Sequence, residues 1–164
     1  MTDHTSVQAK IIKVYSLEET KHIAQQWLEI FGKDRRGAHT KAYKWHVFSY
    51  GRYPALEGEP ALEAYAKQEA CACIVLPNEK GYSAVLAEDK PYGCHWTDYY
   101  VFPVNMAWVM AFTHEDGWLG PYFAKHPDYV KLNAENKAKA RKAEEKAEAI
   151  RRGWAAPADL GKEE

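Results

Sequence analysis

Two histidines and a carboxylate are the side chains here best suited to chemistry: His46, and the adjacent pair His114 and Glu115. Imidazole changes charge near neutral pH, so two imidazoles beside a carboxylate could serve as an acid/base pair or ligate a metal ion. The spacing is not that of a zinc protease, which sets two histidines four apart on one helix. The structural alternative is a half-buried strand histidine at 46 and a turn at Thr113-His114-Glu115-Asp116-Gly117, where polar side chains satisfy backbone groups.

Cys71, Cys73, Cys94 and His95 form a second group. Three thiols and an imidazole could bind zinc, but paired zinc ligands usually stand two to four residues apart, and Cys71-Ala72-Cys73 leaves one. On a strand these two cysteines share a face and act as small hydrophobes. Cys94 beside His95 is no catalytic pair by adjacency, because such pairs meet in space. Neither a metal nor a cofactor is expected, and no phosphate loop, dinucleotide fingerprint or nucleophile elbow occurs.

Aromatic residues offer recognition instead. Trp118-Leu119-Gly120-Pro121-Tyr122-Phe123 reads as part of a loop running from Glu115 to Lys125. Trp and Tyr dominate binding energy at interfaces, so Trp118, Tyr122, Phe123 and Tyr50 are the expected partner-binding residues. Alternatively the loop folds back and plugs the end of a sheet. Lys33, Arg35, Arg36, His39, Lys41 and Lys44 beside Tyr43 and Trp45 could hold phosphates and stack bases, although charge runs usually solvate.

These residues need a scaffold. A chain of 164 residues can bury one sizeable core, and aromatics make up 13% of it, with six Trp, eleven Tyr and five Phe. The formal net charge is −1, unevenly spread. Through Val130 there are 13 basic and 16 acidic residues; from Lys131 to Arg152 there are 8 basic and 4 acidic. An acidic body thus carries a basic helix. No N-terminal stretch resembles a signal peptide and no apolar run approaches a membrane span. Three cysteines make no disulfide framework, so a reduced, cytoplasmic protein without a membrane partner is expected.

Ser16 and Glu19 form a capping box ahead of a helix that puts Ile23, Trp27, Ile30 and Phe31 on one face, with Gly32 as its stop. Tyr43–Tyr50, rich in aromatic and β-branched residues, predicts a strand. Pro60 opens a second helix over 61–70, with Leu62 and Tyr65 inward. Residues 71–76 and 82–87 predict a hairpin, followed by strands at 98–102 and 107–113. The last of these alternates Trp108, Met110, Phe112 and His114 with Ala107, Val109, Ala111 and Thr113. Residues 128–152 predict a charged helix with a narrow seam of Ala140, Ala143, Ala147, Ile150 and Trp154. The fold class is α+β: a mostly antiparallel sheet of about five strands, two helices on one face, and a long charged C-terminal helix. The organisation is a globular domain over 1–127, the helix over 128–153, and a tail over 154–164.

Trp45-His46-x-Phe48-Ser49-Tyr50, Thr113-His114-Glu115 and Gly120-Pro121-Tyr122-Phe123 resemble the hallmarks of a family of small bacterial proteins described only as a domain of unknown function. The similar span runs from about Lys44 to Phe123. The resemblance implies a bacterial or phage source and no activity, and leaves the C-terminal helix outside.

The expected function is a non-catalytic protein–protein interaction protein, such as an immunity-type inhibitor or a regulatory subunit, whose partner is another protein. One alternative is a metal-assisted or acid/base hydrolase with His46, His114 and Glu115 as catalytic residues. A second is a nucleic-acid-associated protein that uses the basic C-terminal helix.

Overall fold

A computed structural model of the chain describes residues 6–115 and 117–154. Its first helix forms as its caps require. In α1 (Leu17–Phe31) the Ser16 hydroxyl accepts from the Glu19 N–H at 3.0 Å, and the Gly32 N–H closes the far end on the Leu28 carbonyl. Thr20, Ile23, Trp27 and Phe31 form its buried stripe. Thr20 also accepts from the Ala84 N–H at 2.9 Å, which ties the helix to the hairpin beneath it.

The strands are β1 (Val7–Gln8), β2 (Ile11–Val14), β3 (Leu56–Glu57), β4 (Cys73–Pro77), β5 (Val85–Ala87), β6 (Gly93–Cys94), β7 (Tyr99–Pro103), β8 (Trp108–Phe112) and β9 (Tyr122–Lys125). Seven of them make one antiparallel sheet in the order β2-β5-β4-β7-β8-β9-β3, and β1 pairs with β6 separately. The α+β class and the antiparallel sheet agree with the sequence reading, but the sheet exceeds five strands. The additional ones are short pieces, too short for alternation to mark them.

Alternate residues of the central strands enter two different cores. Ile74, Leu76, Tyr100, Phe102, Val109, Ala111, Tyr122 and Ala124 pack under α1 and under a short helix, α2 (His46–Ser49). Cys73, Val75, Val101, Trp108, Met110 and Phe123 pack on the other face, against Ala61 and Tyr65 of α3 (Glu59–Ala66) and the start of α4 (Tyr129–Arg151). The two predicted helices therefore lie on opposite faces rather than on one. In α3 it is Ala61, Ala64 and Tyr65 that turn inward, while Leu62 stays exposed. The predicted contrast along β8 is real: small Val109 and Ala111 leave room for Trp27, Phe31 and Phe48, whose rings interlock in the same core.

The segment Tyr43–Tyr50 is not a strand. Turns lead into α2, and Trp45, Val47 and Phe48 are buried while Tyr50 is exposed. Aromatic and β-branched content records burial against a sheet, which a helical turn achieves equally well through positions three apart.

Helix α4 buries Asn133 and Asn136 rather than its alanines. Asn105, in the β7–β8 turn, exchanges side-chain amide hydrogen bonds with Asn136 (3.0 and 3.3 Å) and donates to the Leu132 carbonyl at 3.0 Å. Along the expected seam Ala143 is exposed and Trp154 is 72% exposed. Trp154 opens the expected tail, whose remainder lies outside the described residues. Among the described residues no helix is long and apolar enough to cross a membrane.

Trp27 is fully buried, 5.2 Å from the Phe31 ring and 5.1 Å from that of Tyr100. Trp27→Ala is expected to cost about 3–5 kcal/mol in urea denaturation. Val130→Ala on the open side of α4, where Val130 is 83% exposed, is expected to stay within about 0.5 kcal/mol.

Candidate functional site

Beyond Phe112 the chain leaves the ladder, so His114 does not continue the face of Trp108 and Met110. It turns to the α1/α2 side and meets Asp98, the residue before β7. Asp98 is 8% exposed, and its carboxylate accepts from the Trp45 indole N–H (2.9 Å), the His114 backbone N–H (3.1 Å) and the Thr97 hydroxyl (3.0 Å). His114 Nδ1 lies 2.9 and 3.0 Å from its two oxygens. A carboxylate only accepts, so Nδ1 holds the hydrogen and Nε2 keeps the lone pair in the neutral ring. Nε2 stands 3.6 Å from Glu115 Oε1, and the His114 side chain is 36% exposed.

The turn that carries His46 is fixed by Asn78. Its Nδ2 donates to the Ala42 carbonyl (2.8 Å), and its Oδ1 accepts from the Lys44 N–H (3.2 Å) and the Tyr100 hydroxyl (2.8 Å). The Tyr100 oxygen in turn accepts from the Trp45 N–H at 3.0 Å. This brings the Tyr43 ring to 4.8 Å from His114 and 5.8 Å from His46, and the Trp45 ring to 4.2 Å from His46 and 6.1 Å from His114. His46 and His114 thus flank one pair of aromatic rings, and Glu115 stands beside His114. Burial holds the His46 pKa below the ordinary imidazole value. The Glu115 charge opposes this, and His39 and His114 reinforce it.

Ser49 is not an activated nucleophile in this arrangement. Its Oγ lies 2.9 Å from His46 Nδ1 and donates to the His46 carbonyl at 3.3 Å, so it accepts from Nδ1. A cleft of about 600 Å³ opens beside the site, lined by Lys41, Tyr43, Lys80, Trp96, Thr97 and Asp98 among others. Tyr43 and Asp98 therefore touch both the cleft and His114. Among the described residues no group of three His, Cys, Asp or Glu side chains could hold a metal ion.

The four residues expected to bind a partner separate into two pairs. Trp118 is 84% exposed and Tyr50 is 49% exposed. Tyr122 and Phe123 are 2% and 1% exposed and cannot present a surface. They belong to β9, which pairs with β8 and β3, and each ring faces one core: Tyr122 against Trp45 and Phe48, Phe123 against Trp108. The loop reading failed because Gly120 and Pro121 end the turn just before the strand. Gly120 has φ +95°, and a Cβ there would lie 2.9 Å from Thr113 Cγ2, so only glycine fits.

Asp98, which organises the site, went unnoticed in the sequence. Its one signal was a lone acidic residue beside the aromatic stretch Tyr99-Tyr100, at a strand start without turn chemistry. Of the basic segment, Arg35 caps α1 by donating to the Gly32 carbonyl at 2.7 Å, while Lys33, Arg36, His39 and Lys41 are exposed.

The imidazole titrations can be read by NMR. Glu115→Gln is expected to lower the His46 pKa further, because the carboxylate favours the charged ring; His114→Ala is expected to raise it. With the folded value below the unfolded value of about 6.5, unfolded chains take up the proton first. His46 therefore supports folding above that pH, and the support is lost as pH falls from there through the lower folded value. No movement in either variant would separate His46 from the His114–Glu115 pair.

No curated protein and no solved structure matches the chain. A family model spans residues 9–123, from just before β2 into β9, and leaves α4 outside. It extends further toward the N-terminus than the stretch carrying the recognisable motifs and takes in β2 and α1. The chain belongs to the family described as Domain of unknown function (DUF4275).

Proposed function

We propose that the protein is a non-catalytic interaction protein of bacterial or phage origin, an immunity-type inhibitor or regulatory subunit that binds another protein through the surface running from Tyr50 across His46 and His114 to Trp118. The observation that carries this reading is the exposure of Trp118, 84%, on an anchored loop. The Trp118 and Leu119 N–H groups bond the Glu115 carbonyl at 2.9 and 2.8 Å, Thr113 donates to the Leu119 carbonyl, and the Gly120 N–H reaches Glu57 at 3.1 Å. An indole held in solvent by a fixed backbone gains its burial only from a second molecule, at little ordering cost. Tyr50 borders His46 at 5.4 Å between ring centroids, which extends the same surface. Burial of Tyr122 and Phe123 makes that surface smaller than the sequence suggested.

The hydrogen bond from His114 Nδ1 to a buried carboxylate favours a second reading, an acid/base hydrolase. There His114 Nε2 is the base, Asp98 orients the ring and Glu115 stabilises its protonated form.

One set of variants separates the two. For the interaction protein, Trp118→Ala with Tyr50→Ala reduces recovery of a co-purifying partner at least about tenfold, the loss typical of a hot spot, while stability changes little. His114→Ala then has no effect on a hydrolase substrate screen. Undiminished partner recovery in the double variant overturns the first reading. Turnover by the wild type that is lost in both His114→Ala and Asp98→Asn establishes the second.

A further inference from the structure

On the sheet face opposite His114, Cys71 and Cys73 bring their sulfurs to 3.8 Å. Their surroundings differ. Cys73 is fully buried at the first residue of β4, and its one thiol hydrogen has two acceptors within reach, the Cys71 carbonyl at 3.3 Å and the Cys71 sulfur at 3.8 Å. Cys71 precedes the ladder and is half-buried. Lys90 stands beside this pair in a fixed position. Its ammonium donates to the carbonyls of Tyr65 (3.2 Å), Ala66 (3.4 Å) and Gln68 (2.9 Å), where α3 ends, and lies 5.3 Å from the Tyr65 ring centroid. Hydrogen bonding from Cys73 holds the Cys71 thiol below the usual range. Burial and Asp89 oppose this, and Lys90 and Lys139 support it. The same contact, with burial, pushes the Cys73 thiol up. Cys71 is thus the less buried of the two and the more disposed to be a thiolate, and Cys73 is a sheltered thiol in contact with it.

We propose that Cys71 and Cys73 form a peroxide-reactive dithiol, with Cys71 as the attacking sulfur and Cys73 as the resolving one. The Cys71 thiolate attacks one oxygen of a hydroperoxide. The O–O bond breaks, the departing oxygen leaves as an alcohol or water after taking a proton, and Cys71 becomes a sulfenic acid. The Cys73 thiol then gives up its proton and its sulfur attacks the Cys71 sulfur. The S–O bond breaks and the hydroxide leaves as water. Two thiols and one hydroperoxide yield one disulfide, one alcohol or water, and one further water. The sulfurs lose two electrons together and the peroxide gains two.

Closing 3.8 Å to a bond of about 2.0 Å requires the two sulfurs to approach. Pairing of β4 with β5 and β7 begins at Cys73, so Cys71 and Ala72 move without breaking the ladder. Cys94, also half-buried, is the internal reference.

The test is a time course of the full-length protein with hydrogen peroxide, followed by alkylation, trypsin and mass spectrometry. Cleavage after Lys67 and Lys80 isolates Cys71 and Cys73 in one peptide, without Cys94. In the wild type this peptide is expected to lose two hydrogens and both alkylation sites together, on the order of tenfold faster than Cys94 is modified, as thiolate character controls reactivity. In Cys73→Ala, Cys71 is expected to accumulate a sulfenic acid that a cyclic 1,3-diketone traps. In Cys71→Ser, Cys73 is expected to stay alkylatable. Equal rates at Cys71 and Cys94 overturn the proposal. So does Cys71 advancing to the sulfinic acid in the wild type while Cys73 remains a free thiol. The wild-type time course decides the matter even where the Cys73 variant fails to fold.

Discussion

The carboxylate of Asp98 is the constraint on which the histidine-bearing end of the molecule depends. It sits at the head of β7, almost out of solvent, and accepts from the Trp45 indole, the Thr97 hydroxyl and both the backbone and ring nitrogens of His114. A buried charge is tolerable only when so supplied with donors. Each donor belongs to a different piece of chain: the α2 turn, the strand lead-in, and the exit from β8. Satisfying one carboxylate therefore fixes where α2 lies on the sheet and which way the chain departs after Phe112. Asn78 and Tyr100 repeat the device at the backbone level by bonding residues 42, 44 and 45 directly.

Around that polar clamp the aromatic residues serve two layers. Trp27, Phe31, Phe48, Tyr100 and Tyr122 lock together above the sheet, while Tyr65, Trp108, Phe112 and Phe123 do so below. Because helices cover both faces, β4 is buried along its whole length and reads as a continuous apolar run. The aromatic excess is thus largely the material of two thin cores. Trp118 and Tyr50 belong to neither, nor do Tyr92 and Trp154.

What the sequence revealed follows from how local each signal was. The capping box at Ser16, the stripe through Trp27, the hairpin of β4 and β5, the alternation along β8 and the extent of α4 are encoded within a few residues, and all were legible. The signals that failed were ambiguous over the same distance. Tyr43–Tyr50 has strand-like content, yet its burial follows positions 45, 47 and 48, which a turn and one helical cycle supply. Tyr122 and Phe123 follow a glycine and a proline, and only pairing with β8 and β3, far away in sequence, makes them a strand. The convergence of His46, His114 and Glu115 was a possibility in the sequence, whereas the Asp98 link depends on strand register and was beyond any local pattern. The docking of α4 through Asn105 and Asn136 was equally hidden, since amide pairs leave no apolar periodicity in the sequence.

The β4–β7 ladder determines how far the two chemically distinctive regions can influence each other. At one end Cys73 stands opposite Pro103; at the other Pro77 stands opposite Tyr99, with the Asn78 N–H bonded to the Asp98 carbonyl at 3.1 Å. Five residues of extended strand separate Cys73 from Asn78, a distance of about 17 Å at the usual rise. Alternation also turns the cysteines toward α3 while Tyr100 turns toward α1. Sites this far apart, with no shared partners, contribute to stability almost additively. A change confined to Cys71 and Cys73 therefore leaves the hydrogen bonds that hold Trp45 and His114 intact. The dithiol and the imidazole surface are separable by mutation, and each can be read without disturbing the other.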